Sequence, residues 1–205
     1  RERSFILTAF SWGLERGYCE RNPIKDVKSF KEEARERYVT DEEYKALWVA
    51  AEAFPNVRAA MEISYLCAAR LGDVLKLTEK QLMPEGIFIR QGKTGKKQIK
   101  RWTDRLRTAI ELAKSQPSSI LTMMIIHDSK GQPIKSRTFD AQFQKVKALA
   151  GLKGADIHYH DLKAKSVSDY EGDKKAFSGH ATDAMVRRYD RKVQAVDTLD
   201  REIEK

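Results

Sequence analysis

The sequence has little of what would commit it to a disulfide-bonded, zinc-bound or membrane-spanning protein. Only two of its 205 residues are cysteines, Cys19 and Cys67, and neither lies in a Cys-x-x-Cys pair. This scarcity excludes a disulfide framework and a zinc knuckle as the basis of the fold. No apolar run approaches the roughly 20 residues that cross a bilayer. No secretion signal follows Arg1, so we expect a cytoplasmic protein without membrane association.

A glycine-rich phosphate loop and clustered carboxylates at metal-binding spacing are also missing. Without them, the sequence gives no sign of nucleoside triphosphate hydrolysis or of catalysis by a divalent ion. His158 and His160 are the nearest approach to a metal pair, but they have no third ligand. We therefore expect no cofactor and no metal.

Positive charge is what the sequence has in excess. The net charge is +9, and between Arg90 and Arg107 eight basic residues accompany a single acid, Asp104. Such a surface attracts polyanions, because phosphates that are neutralised release their counterions. A solvated lysine-rich face is the plain alternative, since charge runs are common on protein surfaces. Composition alone leaves both interpretations open.

The chain divides near residue 37 into a short and a long part. Residues 1–30 have the pattern of a helix with apolar side chains, which alone cannot bury its apolar face. We therefore expect it to be the last helix of a longer domain. Residues 31–37 are highly charged without apolar periodicity, as suits a linker. The prediction is a domain remnant plus linker over residues 1–37 and a second domain over residues 38–205.

The second part is predicted to be mainly α with a small antiparallel β-sheet. Thr40 and Glu43 stand at capping-box spacing before its first helix. Residues 86–91 and 98–102 are β-prone and flank a turn, which predicts a hairpin. Further helices are expected from Pro55 to near Gly72 and over residues 104–114, 136–150, 161–170 and 182–190.

The last 50 residues carry a series of polar residues that suits a reactive site. His160, Lys163, His180 and Tyr189 occur in that order, and Tyr189 follows His180 by nine residues. Taken singly, a histidine or a tyrosine is more often a packing or surface residue than a functional one. Only the ordered combination indicates a site.

Two residues earlier in the chain extend this series. Arg70 lies at the expected end of an apolar helix, where an unpaired buried guanidinium is costly. It either pairs with Asp73, three residues on, or lines a cleft. Lys93 lies in the turn of the predicted hairpin, where a lysine is usually a solvent-exposed residue without a specific function.

Together these motifs resemble those of the tyrosine recombinases. That family carries an arginine in a helix-end motif, a lysine on a β-hairpin, a His-x-x-Arg, a Gly-His and a tyrosine nine residues later. The same order and spacing are seen here at Arg70, Lys93, His160, His180 and Tyr189. The similarity covers about residues 40–195. It implies the DNA breaking-rejoining catalytic fold for residues 38–205, preceded by the end of the family's core-binding domain and a linker.

The resemblance implies DNA strand cleavage and religation through a covalent 3′-phosphotyrosine. Tyr189 would be the nucleophile, Lys93 the general acid for the leaving oxygen, and His160 an aid to proton transfer. The phosphate oxygens would be held by three other side chains: Arg70, Lys163 and His180. The basic run around the hairpin fits contact with the DNA backbone, through Arg90, Lys96, Lys97, Lys100 and Arg101. Lys135 and Arg137, at the start of the helix over residues 136–150, are candidates for DNA contacts that choose the site, and a plain surface face is the alternative.

Lys163 departs from the family pattern, which has arginine at this position. A guanidinium holds two phosphate oxygens through its planar fork, whereas an ammonium offers a compact charge. Two alternatives to an active integrase therefore stay open. One is a degenerate integrase-like protein that binds DNA without cleaving it, and the other is a type IB topoisomerase. The segment His-Asp-Leu-Lys beginning at His160 resembles phage enzymes more than topoisomerases.

The resemblance also implies partners. These are double-stranded DNA attachment sites of a prophage or another mobile element. The protein would be a homotetramer on DNA and a monomer without DNA. The C-terminal tail, residues 193–205, has Val193, Val196 and Leu199 on one side. It would dock either on its own domain or, by exchange, on a neighbouring subunit.

Overall fold

The structure is a computed structural model that describes residues 2–28, 35–193 and 195–198. It divides into two compact units, with the division between Arg35 and Glu36. Most of the charged stretch 31–37 lies outside the described residues. None of the described helices is long and apolar enough to cross a membrane.

The first unit contains helix α1 (Glu2–Glu15) and the loop that follows it. The loop is tied to the helix by the side-chain amide of Asn22, whose Nδ2 donates to the Leu7 carbonyl at 3.1 Å. Large apolar side chains stay in contact with solvent, Phe5 at 76% and Trp12 at 51% exposure. This unit alone therefore leaves much of its apolar surface uncovered.

The second unit is mainly helical, as predicted from the sequence. Its strands form one antiparallel sheet in the order β1-β2-β3, with Ile87 paired to Lys100 across the hairpin. Its elements within the described residues are α2 (Asp41–Ala50), α3 (Pro55–Cys67), α4 (Leu71–Val74), β1 (Leu82–Met83), β2 (Gly86–Arg90), β3 (Lys97–Arg101), α5 (Asp104–Lys114), α6 (Ser136–Leu149), α7 (Asp161–Asp169), α8 (Lys174–Ser178) and α9 (Asp183–Tyr189). The predicted hairpin is confirmed.

Side-chain caps begin several of these helices where the sequence predicts them. At α2, the Thr40 hydroxyl accepts from the Glu43 amide at 3.2 Å, and Glu43 Oε2 accepts from the Thr40 amide at 3.0 Å. This reciprocal pair is the predicted capping box. At α9, the Thr182 hydroxyl accepts from the Met185 amide at 3.3 Å. The predicted helix starts are confirmed at both positions.

Helix α3 forms the centre of the second unit and packs against α5 and α7. Its Met61 and Ile63 side chains are fully buried, and so is the α6 residue Phe139. The carboxylate of Glu62 is buried in the same helix, where Arg105 of α5 binds it through Nε at 2.5 Å and Nη2 at 2.8 Å. A buried carboxylate needs such a partner to offset its desolvation. Arg105 therefore stabilises the core, although it belongs to the basic run of residues 90–107.

The structure corrects the prediction of one helix from Pro55 to near Gly72. Helix α3 ends at Cys67 because Ala68 adopts a left-handed conformation with φ of 49°, and the chain restarts as the separate short helix α4. Strand β1 and helix α8 were not predicted. Both are short, at two and five residues, and so carry too few positions for a periodic pattern.

Candidate active site

The predicted site residues of the C-terminal segment converge where α7, α9 and the loop between α8 and α9 meet. Tyr189 is the last residue of α9, and its hydroxyl lies 2.8 Å from Nε2 of His160, the residue before α7. The ring of His180 stacks on the Tyr189 ring, with centroids 4.5 Å apart and planes inclined by 28°. Three rings from separate motifs thus form one cluster.

Lys163 lies in α7 beneath this cluster. Its side chain is 1% exposed, and its Nζ lies 5.7 Å from the centroid of the Tyr189 ring. Among the described residues, Nζ has no hydrogen-bond partner. Desolvation, followed by the nearby charges of Arg70 and Lys100, lowers the pKa of Lys163 to about 7. The side chain is therefore a buried amine that gains or loses its proton near pH 7 and that has no partner in the described part of the chain.

The same environment keeps both histidines neutral at pH 7. Although His160 retains contact with solvent, desolvation of its ring is the largest cause that lowers its pKa, followed by the charges of Lys163 and Arg70. Desolvation, again followed by Lys163 and Arg70, lowers the pKa of His180 to about 4. These couplings place Arg70 within electrostatic reach of all three side chains.

Ser178 determines which nitrogen of His180 carries the proton. The Ser178 hydroxyl donates its single hydrogen to the Lys174 carbonyl at 2.6 Å, so it accepts from His180 Nδ1 at 2.8 Å. In the neutral ring Nε2 is then unprotonated. This atom is buried and has no hydrogen-bond partner among the described residues. The unpartnered Nε2 is thus a second buried nitrogen able to meet an incoming group.

Arg70 is not the end of a helix, as the sequence indicated, but the residue that precedes α4. Its Nη1 donates to Oε1 of Gln91 at 2.9 Å. The alternative pairing with Asp73 is not among the described ion pairs, and Asp73 Oδ1 accepts from the Gly92 amide at 2.9 Å. The half-buried guanidinium is thus held by a neutral amide and keeps its full charge.

Lys93 is the predicted site residue that lies apart from the cluster. It sits exposed in the turn between β2 and β3, one residue after the Gly92 amide that Asp73 holds. None of the described hydrogen bonds or ion pairs joins Lys93 to Tyr189. The structure thus brings five of the six predicted catalytic residues together and leaves Lys93 on the adjoining hairpin turn.

Residues 189–191, at and just after the end of α9, are bonded to α7 and α8. The Ser168 hydroxyl donates to the Tyr189 carbonyl at 3.0 Å and accepts from the Arg191 amide at 2.7 Å. The Arg191 guanidinium pairs with the buried carboxylate of Asp161 at 2.6 Å, and Lys174 pairs with Asp190 at 2.8 Å. These bonds fix the end of α9 against the helix that carries Lys163.

The residues predicted to contact DNA do not share one environment. Lys100 points inward, where its Nζ donates to the Phe177 carbonyl and lies 4.7 Å from the Phe177 ring centroid. Burial lowers the pKa of this lysine. The other six are exposed: Arg90, Lys96, Lys97, Arg101, Lys135 and Arg137.

Four polar residues around the cluster were not identified from the sequence. Gln91 and Ser178 hold Arg70 and His180, while Ser168 and Arg191 hold the segment of Tyr189. Gln91, Ser168 and Arg191 act through contacts that are distant in the sequence, so their spacing gives no signal. Only Ser178 stands close to a motif, two residues before His180.

This arrangement can receive an anion and remove a proton. Two buried nitrogens lack partners among the described residues, Lys163 Nζ and His180 Nε2, and each, once protonated, would donate a hydrogen bond to an anionic oxygen. A neutral imidazole at 2.8 Å can accept the proton of the Tyr189 phenol. Within the described residues, no group of three or more His, Cys, Asp or Glu side chains is placed to hold a metal ion.

The amino-acid sequence matches one protein family and several of its members. Residues 37–195 match the phage integrase family. The chain is 28% identical over 199 residues to an integrase of Enterobacteria phage 434, covering 91% of this chain and 56% of that protein. The chain therefore spans about half the length of the curated relatives that it matches.

Solved structures share the fold. A crystal structure of a lambda integrase dimer bound to a COC′ core site aligns with 97% of this chain and 60% of the other, at 22% identity and a TM-score of 0.75. A lambda integrase tetramer bound to a Holliday junction aligns over the same fractions, at 24% identity and a TM-score of 0.74. The predicted recombinase catalytic fold is confirmed by these similarities. With most of its length matched and the motif residues from Arg70 to Tyr189 in order, the chain belongs to the phage integrase family.

Proposed function

We propose that this chain is the catalytic part of a site-specific DNA recombinase that cleaves and rejoins DNA through a covalent 3′-phosphotyrosine at Tyr189. The main support is the Tyr189 hydroxyl, 2.8 Å from His160 Nε2, on a ring that lies next to two side chains with unpartnered nitrogens, Lys163 and His180. A nucleophile, a proton acceptor and an anion site are the components that phosphoryl transfer needs.

In the proposed reaction, the phenol oxygen of Tyr189 forms a bond to the scissile phosphorus as its proton passes to His160 Nε2. The bond from phosphorus to the 5′ oxygen breaks, and Lys93 protonates that oxygen to leave a 5′-hydroxyl. Religation reverses these steps. Because the phosphodiester energy is kept in the tyrosine link, no nucleotide cofactor is consumed.

The incoming phosphate also changes the charges of its binding site. An anion beside Lys163 and His180 favours their charged forms and raises the pKa of both. Each side chain then takes up a proton and donates a hydrogen bond to a non-bridging oxygen. Arg70 supplies the third cationic contact, and it is charged before DNA arrives.

We further propose the wider arrangement by extension from the relatives. Residues 38–205 would be the catalytic domain, and residues 1–37 the end of a core-binding domain plus linker. The exposed hairpin cations would follow the DNA backbone of an attachment site during integration or excision of a mobile element. As the lambda integrase structures include a tetramer on a Holliday junction, we assign a tetramer on DNA.

The C-terminal tail would connect neighbouring subunits of that tetramer. Val193 and Val196 are 92% and 80% exposed, and the predicted third apolar residue, Leu199, lies outside the described residues. Exposed apolar side chains at this position suit exchange with a neighbouring subunit on DNA.

Covalent capture tests the proposed function even though the target site is unidentified. The protein is incubated with a pool of nicked duplexes of randomised sequence, 5′-labelled on the cleaved strand, and adducts that survive denaturing detergent are amplified and sequenced. We expect a labelled adduct that converges on one site and is absent for Tyr189→Phe. A pool without any Tyr189-dependent adduct would contradict the proposal.

A further inference from the structure

We infer that Gln91 is a positioning residue for strand cleavage, which orients the Arg70 guanidinium and ties the β2–β3 hairpin to the segment that bears His180. The inference rests on the proposed function, in which Arg70 and His180 hold the phosphate. Gln91 itself touches neither the Tyr189 hydroxyl nor any atom that would react.

Both ends of the Gln91 amide are used, and they point in opposite directions. Oε1 accepts from Arg70 Nη1 at 2.9 Å and from the Thr94 hydroxyl at 3.0 Å. Nε2 donates to the Ser178 carbonyl at 2.9 Å. The side chain is only 5% exposed, so water does not easily replace these bonds. The amide can have only this orientation, since a flip would set its NH₂ group against the guanidinium.

A neutral anchor suits an arginine that must bind an anion. A carboxylate in the place of Gln91 would hold the guanidinium equally well but would neutralise much of its charge. With Nη1 fixed by the amide, the plane of the guanidinium is set, and its other N–H groups can face two phosphate oxygens. The contact therefore provides orientation without weakening the cationic site.

Gly179 shows how closely the hairpin approaches the His180 segment. Its φ is +68°, and a Cβ there would lie 2.4 Å from Gln91 Nε2 and 2.6 Å from Gln98 Oε1. Only glycine leaves room for the amide to reach the Ser178 carbonyl. Ser178 in turn holds Nδ1 of His180, so one buried amide links the two phosphate-binding side chains.

Gln98 provides a matched control on the same hairpin. Its Nε2 donates to the Ala176 carbonyl of α8 at 2.6 Å, so it also joins the hairpin to this helix. It makes no described contact with Arg70. Its Oε1 also accepts from Gln91 Nε2, at the long distance of 3.5 Å. Substitution of Gln98 therefore reports the loss of a hairpin-to-α8 bond together with this weak contact, while the bond between Gln91 and Arg70 is kept.

The test compares Gln91→Met with Gln98→Met on the site recovered by covalent capture, in single-turnover cleavage at saturating DNA. Loss of one orienting hydrogen bond lowers the cleavage rate constant of Gln91→Met by about tenfold. Its DNA dissociation constant and melting temperature should stay close to those of Gln98→Met, which cleaves within about threefold of the wild type. If Gln91→Met does not fold, Gln91→Asn, whose arm is one methylene shorter, is expected to show the same loss.

The outcomes separate this inference from the proposed function. Equal cleavage by the Gln91 and Gln98 variants would overturn the positioning role, and so would a loss seen only in DNA affinity. In both cases an active wild type leaves the proposed function standing. A wild type that forms no adduct contradicts the proposed function, and the inference falls with it.

Discussion

The Tyr189 hydroxyl and His160 Nε2 lie 2.8 Å apart although 29 residues separate them in the chain. Helix α9 ends at the tyrosine, and α7 begins directly after the histidine, so the contact joins the end of one helix to the start of another. The pairing requires that both helices keep their observed bounds. It also places one ring nitrogen within hydrogen-bond distance of the phenol.

We predict that His160→Ala lowers the cleavage rate constant by about a hundredfold, because the phenol loses the base that removes its proton. The measurement is single-turnover adduct formation at saturating DNA. His158→Ala is the matched control, since the side chain of this exposed residue of the same segment forms an ion pair with Asp156 at 3.8 Å and has no described contact with Tyr189. It should stay within about threefold of the wild type. Equal losses in the two variants would remove His160 from the proposed mechanism.

Cleavage at low DNA concentration should depend on the protonation of Lys163. Its pKa is about 7 in the free protein, lowered by burial, Arg70 and Lys100 and raised by Asp73, while the phosphate favours the charged form. The contribution of the charged amine is therefore complete below pH 7 and lost as pH rises through the pKa of the DNA complex. Adduct formation below saturation should thus fall between pH 7 and pH 9.

Lys163→Arg provides the comparison for that pH dependence. A guanidinium stays charged throughout this range and can hold two oxygens, so the variant should cleave faster than the wild type at pH 9 and show a flatter profile. Second-order rate constants from pH 6 to pH 9 measure the effect. An identical decline in both proteins would assign the titration to another group.

Burial of Lys163 should also lower the free energy of unfolding. The fold lowers its pKa from 10.5 to about 7, so the unfolded chain binds more protons between these values, and stability rises with pH in that window. We predict that Lys163→Met, which buries an apolar chain of similar length, is more stable than the wild type at pH 7. The gap should narrow by at most about 1.4 kcal/mol per pH unit up to pH 9.5 in denaturant titrations. A gap that does not change with pH would show that folding does not lower the pKa of Lys163, so that the amine is charged in both states over this range.

Gly179→Ala should be more damaging than Gly95→Ala. Both glycines have φ near +70°, but a Cβ at Gly179 would lie 2.4 Å from Gln91 Nε2, whereas nothing lies within 4 Å at Gly95. Backbone strain alone predicts a loss of about 1 kcal/mol in the free energy of unfolding at Gly95. The additional displacement of Gln91 predicts about 2 kcal/mol or more at Gly179. Similar losses at the two positions would argue against the close approach of the hairpin.

The sequence predicted the elements whose patterns are local. The capping box at Thr40, the hairpin after Gly86 and the cap at Thr182 each depend on a few neighbouring residues, and all are confirmed. The prediction of a helix that continues through Ala68 was wrong because alanine strongly favours helices. No local pattern shows that Ala68 adopts a left-handed conformation. Tertiary packing overrides propensity there.

The sequence predicted which residues form the site, but it did not predict the residues that hold them in place. Arg70, His160, Lys163, His180 and Tyr189 form motifs with fixed spacing, and the structure brings them together. Gln91 contacts residues 21 positions before and 87 positions after it, so no window of sequence contains its role. The burial of Lys163 was equally hidden, because the sequence showed only a lysine in place of an arginine.

The bonds that fasten the end of α9 have a consequence for how cleavage is timed. Ser168 and the pairs of Asp190 and Arg191 hold the tyrosine segment against α7 and α8 of the same chain. The entropy cost of orienting the phenol is then part of the folding free energy, so it adds little to the activation free energy of cleavage. A nucleophile that is already aimed cannot serve as the trigger. The moment of strand scission would instead be set by how the double helix is bent or slid until one phosphate enters the cationic site.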